Sequence, residues 1–538
     1  MQVGTAENTP GSPTAQISPD ASSSRWVAIR SLTLPLVLLL VLRLPSLFEP
    51  HWYTDEAGYA NVAYQMAHGK VLFLTTWNNK PPLLFWIYQL GFGIGGTSEF
   101  GIHLISTVTE AMGLLGTWML ARQVLSPRRV WVAMLLTAFF LAAPFLNGDL
   151  ALPENLLIGL TPWSMLAVLA ALRAPGNGRA LLWALAAGVL FGGAVLIQQT
   201  ALADLAAAMV VIVVASRRGW WLAGGTFAAA ALVFAAVLTP FVMAAGLHNV
   251  FFLLVTSYNG YTTSSLHPSL VSLLPRAVAG LLLVGGAFLA RSWPAKRLLP
   301  WVWLATLLLA YGLPNRDYLH FLLPAVPAAC LLVARARVPQ WGWWRSRSRL
   351  AVLPLLGSVA VGGFIWGSLL GAGFAQGSLF TAKLTGEYYP AFVGRLTGAV
   401  SMTDYVSLYS HAAVSEYQAV TWIRRNHLTG STAVIWSPDS WAYLLAGLRP
   451  ILPEPTIYEN DTLLGTTKLL RRVESQRPVV IFLTQNSYTE YGPILPLLQR
   501  GYTEVQAPAY GELWIRSDVA TRVLTAAEDK TDLKRSRH

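Results

Sequence analysis

Apolar runs of bilayer-spanning length recur from residue 27 to residue 374, separated by short polar stretches. A helix needs about 20 apolar residues to cross the hydrocarbon layer, and roughly eleven runs approach that length. They lie near 27–48, 99–121, 130–147, 155–172, 180–197, 200–215, 220–244, 270–290, 298–313, 319–335 and 350–374. Composition agrees: 54% of residues are hydrophobic and 12% charged, about half the charge of a soluble domain. A mean hydropathy of +0.48 cannot be hidden in one globule, whose surface does not shrink far enough. The expected fold is a polytopic α-helical membrane protein.

The formal charge of +12 is not a nucleic-acid footprint, because the cations fall in short clusters between apolar runs. Arg122, Arg128 and Arg129, then Arg173 and Arg179, then Arg217 and Arg218 occupy alternate loops. Arg291, Lys296 and Arg297 follow, and then Arg335, Arg337, Arg345, Arg347 and Arg349. The intervening loops carry Asp55, Glu56, Glu99, Asp149, Glu154 and Asp317. The positive-inside rule puts the basic loops in the cytoplasm and the acidic ones outside. With a cytoplasmic N-terminus, eleven spans satisfy every cluster and leave the C-terminal part extracytoplasmic, at the cell (inner) membrane. Two short runs at 180–215 are the point where a merged span would invert that order.

Residues 1–26 are rich in Ser, Thr, Pro and Ala and read as a disordered tail. The transmembrane domain is expected over 27–375, and 376–410 as a connector. Residues 411–520 alternate helical and β patterns, with strands at 432–436, 478–483, 502–506 and 511–516, which predicts a soluble α/β domain. Residues 521–538 form a polar tail. The one cysteine, Cys330, lies in an apolar run and reads as a packing residue.

The first outer loop concentrates the chemistry. Asp55 and Glu56 stand side by side, and Lys80 opens the segment Lys80-Pro81-Pro82. Two short apolar stretches, 55–67 and 80–95, suit helices in the interface plane, with Trp52, Tyr53, Tyr64, Trp77, Trp86 and Tyr88 as aromatic anchors. Arg43, at the outer end of the first span, is expected to pair with an acid of the loop. Glu110 and Asp204 lie within spans and are expected to face the bundle interior or a cavity.

Asp-Glu-Ala-x-Tyr followed by Asn-Lys-Pro-Pro-Leu resembles the C-type membrane glycosyltransferase fold, in the branch of protein O-mannosyltransferases and the lipid A aminoarabinose transferase. Asn315 to His320, leading into Leu322-Leu323-Pro324, is similar to a late segment of that family. The resemblance implies an enzyme that moves a sugar from a polyprenyl-phosphate carrier to an acceptor, with inversion. It implies Asp55 as the base that takes the acceptor proton, with Glu56 supporting it or holding the acceptor. Lys80, Arg316 and His320 would contact the donor phosphate. Asp149, Glu154 and Tyr59 would line the cavity. Gln198-Gln199 replaces the Lys-Gln or Lys-Tyr pair common in relatives, which puts a lysine donor contact there in doubt.

A divalent metal is left open: Asp55, Glu56, Asp149, His267 and His320 carry ligand chemistry but no ligand spacing. A transporter or flippase of lipid-linked sugars, or a non-catalytic envelope assembly factor, is the alternative. Transporters commonly carry internal repeats, and none is visible here. The partners expected are the carrier-linked sugar, an unidentified acceptor and the bilayer; nucleic acid is not among them.

Overall fold

A computed structural model describes residues 21–257, 270–289, 293–312, 318–335, 378–437, 439–484, 492–506 and 510–525, together with Pro508. Helix α1 (Ala21–Arg43) leads into the first outer loop. That loop carries α2 (Thr54–Ala67) and α3 (Pro82–Gly95) before α4 (Glu99–Val124) returns through the bundle. Further helices cover Pro127–Leu141, Thr161–Arg173, Asn177–Ile197, Leu202–Ala215, Gly219–Ala245, Leu270–Leu289, Ala295–Gly312 and Val326–Arg335. Five helical stretches among the described residues have both the length and the apolar character to cross a membrane. The expected span at 350–374 lies outside the described residues.

The 180–215 ambiguity resolves as two helices. The chain leaves the first at Gln198, whose backbone is extended at φ −155° and ψ 136°, and a new helix begins directly after it. The bundle core is built from small and branched residues, including Ala133, Ala184, Ala208, Val211, Leu304 and Ala328. Small side chains let helix backbones approach closely where lipid and core are equally apolar.

The C-terminal domain carries β1 (Thr432–Trp436), β2 (Arg449–Pro450), β3 (Val480–Thr484), β4 (Tyr502–Gln506) and β5 (Gly511–Arg516). They form one sheet in the order β2-β1-β3-β5-β4. β1 pairs parallel with β2 and β3, while β5 runs antiparallel to β3 and β4. Strands alternate their side chains between faces. Ala433, Ile435, Val480 and Phe482 therefore pack on one side, and Val434, Trp436, Ile481 and Leu483 on the other. Both faces are covered, which explains why β1 and β3 read as unbroken apolar runs.

Two expectations change here. The described part of the stretch expected as a connector is two helices, Ser378–Leu396 and Met402–Tyr409. Their Tyr388, Tyr405 and Tyr409 share one core with Trp52, Tyr59 and Tyr88 of the first loop and Trp441 of the α/β domain. The loop helices are likewise not afloat in the interface. α2 is buried over most of its surface, and Trp52 and Tyr88 are core residues rather than lipid anchors. Trp86, at 40% exposure, is the aromatic that still suits that role.

Candidate active site

The first turn of α2 begins after Tyr53, which is extended and supplies no side-chain cap. The Thr54 hydroxyl donates instead to Asp439 Oδ1 of the α/β domain at 2.5 Å. Burial pushes the Asp439 carboxyl up to about 6, and the Thr54 hydroxyl pulls against that shift. Asn61 Nδ2 donates to the Ser440 carbonyl at 2.8 Å, and the Trp77 backbone N–H to that of Pro453 at 2.8 Å. The first loop is thus held from above by the C-terminal domain. A contact of this kind puts both on one side of the membrane.

Asp55 follows Thr54 and faces a cavity of about 1080 Å³. Burial raises its pKa above the ordinary carboxylate range. His320 and Lys80 pull it back down, while Glu154 and Glu56 add to the rise. Lys80 reaches the same cavity from the start of α3. Its position is set by Pro82 at the first helical residue, where no backbone donor is needed. Its own N–H donates to Asn78 Oδ1 at 3.1 Å.

Tyr59, Glu154, Tyr318 and His320 complete the polar end, with Gln198 and Gln199. Gln198 Nε2 donates to Glu154 Oε1 at 2.5 Å. Gln199 Nε2 donates to the carbonyls of Asn79, at 2.6 Å, and Leu254, at 3.2 Å. The amide pair therefore orders the cavity wall in place of a lysine. Asp204 also lines the cavity and accepts from Trp303 Nε1 at 2.6 Å. The remaining wall is apolar, supplied by Phe227, Phe234, Leu238, Val242 and Leu254 among others. Its flank includes Leu247 and Phe251, exposed at 68% and 56%.

Not every expected site residue is there. Glu56 and Asp149 do not line the cavity. Glu56 is fully buried on the far side of α2, where its Oε1 accepts from the Ala151 N–H at 2.5 Å and lies 3.1 Å from His103 Nε2. Burial raises the Asp149 carboxyl to about 6, with Arg43 and His103 pulling against the shift. Arg43 pairs not with a loop acid but with Glu110 inside α4, at 3.4 Å. Arg316 and His267 lie outside the described residues. The residues that sequence reasoning passed over are His103, Asp439 and Glu454. His103 carried a signal: it stands four residues after Glu99, on the same helical face.

What this arrangement can do is bind an amphipathic anion. A cation and polar donors sit at one end, an apolar trough leads away, and a carboxylate of raised pKa faces the junction.

Residues 79–243 match the family described as dolichyl-phosphate-mannose-protein mannosyltransferase. An undecaprenyl phosphate-alpha-4-amino-4-deoxy-L-arabinose arabinosyl transferase of Pseudomonas savastanoi pv. phaseolicola is 28% identical over 138 residues, 24% of this chain and 25% of the relative. That match therefore spans about a quarter of the curated relative. Among solved structures, ArnT from Cupriavidus metallidurans bound to undecaprenyl phosphate superimposes with a TM-score of 0.58 at 18% identity. The superposition covers 92% of this chain and 98% of ArnT. The oligosaccharyltransferase of Archaeoglobus fulgidus in its apo form gives a TM-score of 0.51 at 12% identity, over 93% of this chain and 75% of that one. The fold is shared with these C-type membrane transferases, as the first-loop resemblance implied.

Proposed function

We propose that this protein is an integral membrane glycosyltransferase that moves a sugar from a polyprenyl-phosphate carrier to an envelope acceptor. Transfer takes place on the extracytoplasmic face and inverts the anomeric centre. The observation that carries this reading is Asp55 and Lys80 meeting at the polar end of an apolar trough. An anionic lipid headgroup fits beside Lys80 and His320, and its polyprenyl tail fits the wall formed by Phe227, Phe234 and Val242. Asp55 removes the acceptor proton as the sugar acquires oxocarbenium character. Lys80 stabilises the phosphate that leaves. Glu154, held by Gln198, orients the acceptor or the sugar. The matched family and the ArnT-like fold support the donor class. The decisive experiment is transfer of radiolabelled sugar from polyprenyl phosphate by the purified protein; binding of the carrier without transfer would exclude the reading.

Donor titrations address Lys80. An ammonium beside a phosphate in a partly dehydrated site acts on both binding and leaving-group charge. Lys80→Ala should raise the donor concentration needed and slow transfer, and Lys80→Arg should keep part of both. Superimposable curves for the three proteins would make Lys80 a lysine that merely reaches for the interface.

The orientation is tested at exposed positions of the two contacting parts. Lys70 and Lys468 are both exposed. Lys70→Cys and Lys468→Cys should each react with an impermeant thiol reagent in spheroplasts, while the buried Cys330 stays silent. Labelling only after the membrane is opened would place this face in the cytoplasm.

A further inference from the structure

Beside the cavity, but facing away from it, lies a buried constellation that the proposed transfer does not use. α4 opens with Glu99 and presents His103 one turn later, and Glu56 meets them from the first turn of α2. Glu56, Glu99 and His103 are exposed by 0%, 3% and 0%. The His103 ring is oriented by its first nitrogen, which lies 2.6 Å from the Ser46 carbonyl oxygen. A carbonyl only accepts, so Nδ1 carries the proton and donates it to Ser46. In the neutral ring Nε2 is then a bare lone pair. It points at Glu56 Oε1, 3.1 Å away, and at Glu99 Oε2, 3.7 Å away.

A lone pair facing two carboxylates in a dry interior is repulsive unless something positive stands between them. A proton on Nε2 would answer the Glu56 contact at 3.1 Å and reach Glu99 Oε2 only at 3.7 Å. Glu56 Oε2 and both oxygens of Glu99 are buried without a hydrogen-bond partner. Each such buried atom left without a partner destabilises the fold. Asp149, with both oxygens unpartnered, and Glu49 add negative potential nearby, and Arg43 acts on Asp149 while paired with Glu110. One ligand atom from each of Glu56, Glu99 and His103 lies within 4.8 Å of the others.

The geometry points to a divalent-cation site formed by His103 Nε2, Glu56 and Glu99, with zinc as the best fit. Ligands at about 2.0–2.2 Å from tetrahedral zinc lie roughly 3.3–3.6 Å apart, a spacing that the 3.1 and 3.7 Å separations bracket. Three protein ligands would leave the fourth position to a water, as in other three-ligand zinc sites. Two carboxylates neutralise the ion, and the Nδ1–H donation to Ser46 is the supporting contact that metal-bound histidines usually make. Magnesium is disfavoured, because it keeps most of its water and seeks an octahedron of oxygens. The ion would be a clamp rather than a catalyst. It joins the end of the first span at Ser46, the start of α4 and the far side of the helical turn that presents Asp55.

The test uses the full-length protein in detergent, stripped with a chelator, loaded with zinc chloride and desalted. Wild type should retain about one zinc per chain, and its Tm should rise by several degrees on loading. His103→Ala and Glu99→Gln should lose tenfold or more of the zinc affinity, and loading should not move their Tm. Glu99→Gln keeps the size of the side chain, so its monodisperse elution and unloaded Tm guard against reading a folding defect as metal loss. A wild type that retains no zinc would overturn the site. Equal zinc content in wild type and well-folded Glu99→Gln would overturn it as well. Neither readout depends on the sugar or its carrier.

Discussion

Asp55→Asn should lower sugar transfer by on the order of a hundredfold or more, while binding of the carrier lipid stays close to wild type. The amide keeps the size and polarity of the carboxylate and loses its basicity. No loss of fold is expected, because Asp55 lies after the N-cap position held by Tyr53 and faces the cavity. The same residue predicts the shape of the pH profile. Burial raises its pKa, so the basic form disappears as pH falls through a value above the ordinary carboxylate range. The acid limb of kcat/KM in the wild type should therefore lie higher than for an exposed aspartate. Activity of Asp55→Asn within a few-fold of wild type would remove Asp55 from the chemistry.

Arg43→Ala should destabilise the protein by about 3–5 kcal/mol, the usual consequence of removing one member of a buried ion pair. The Arg43 side chain is 1% exposed. Its Nε donates to Thr107 Oγ1 at 3.1 Å and lies 3.4 Å from Glu110 Oε2. Its terminal nitrogens donate to the carbonyls of Gly148 and Leu150. Deletion would strand the Glu110 charge and two backbone acceptors together. The paired change Arg43→Met with Glu110→Leu should recover part of the loss, because it removes both members of the closest pair. Thermal unfolding of detergent-solubilised proteins reads both results. A single variant as stable as wild type would mean that water, rather than Arg43, satisfies Glu110.

The helical frame was legible because its signal is compositional. Apolar runs predicted at 270–290 and 319–335 fold as Leu270–Leu289 and as a short 3₁₀ segment joined to Val326–Arg335. The β-runs at 432–436, 502–506 and 511–516 match β1, β4 and β5 residue for residue. The burial of the loop was not legible. Tyr and Trp suit both a membrane interface and a protein core, so Trp52 and Tyr88 read equally well as either. Glu56 was expected to support the base or hold the acceptor, and it does not line the cavity. Neighbouring residues on a helix diverge by about 100°, and here Asp55 takes the cavity side while Glu56 packs against Ala151 and His103. Tyr388 and Tyr389 of the expected connector show why the second side of the loop stayed hidden: their partners lie more than 300 residues away, and one sequence carries no trace of that pairing.

The grip of the α/β domain on the first loop also has a temporal meaning. Thr54 and Asp439 are 385 residues apart in the chain. At about 5–20 residues per second, the ribosome reaches Asp439 roughly 20–80 s after it has passed Thr54. Over that interval Thr54 and Asn61 are made and their partners Asp439 and Ser440 are not. A half-finished chain therefore carries the first loop without the contacts that Asp439, Ser440 and Pro453 make to it. Chains stopped before residue 411 should show the consequence as rapid protease cleavage within 68–80, a stretch that the finished protein shields at Trp77 and Asn78 through Pro453 and Glu454.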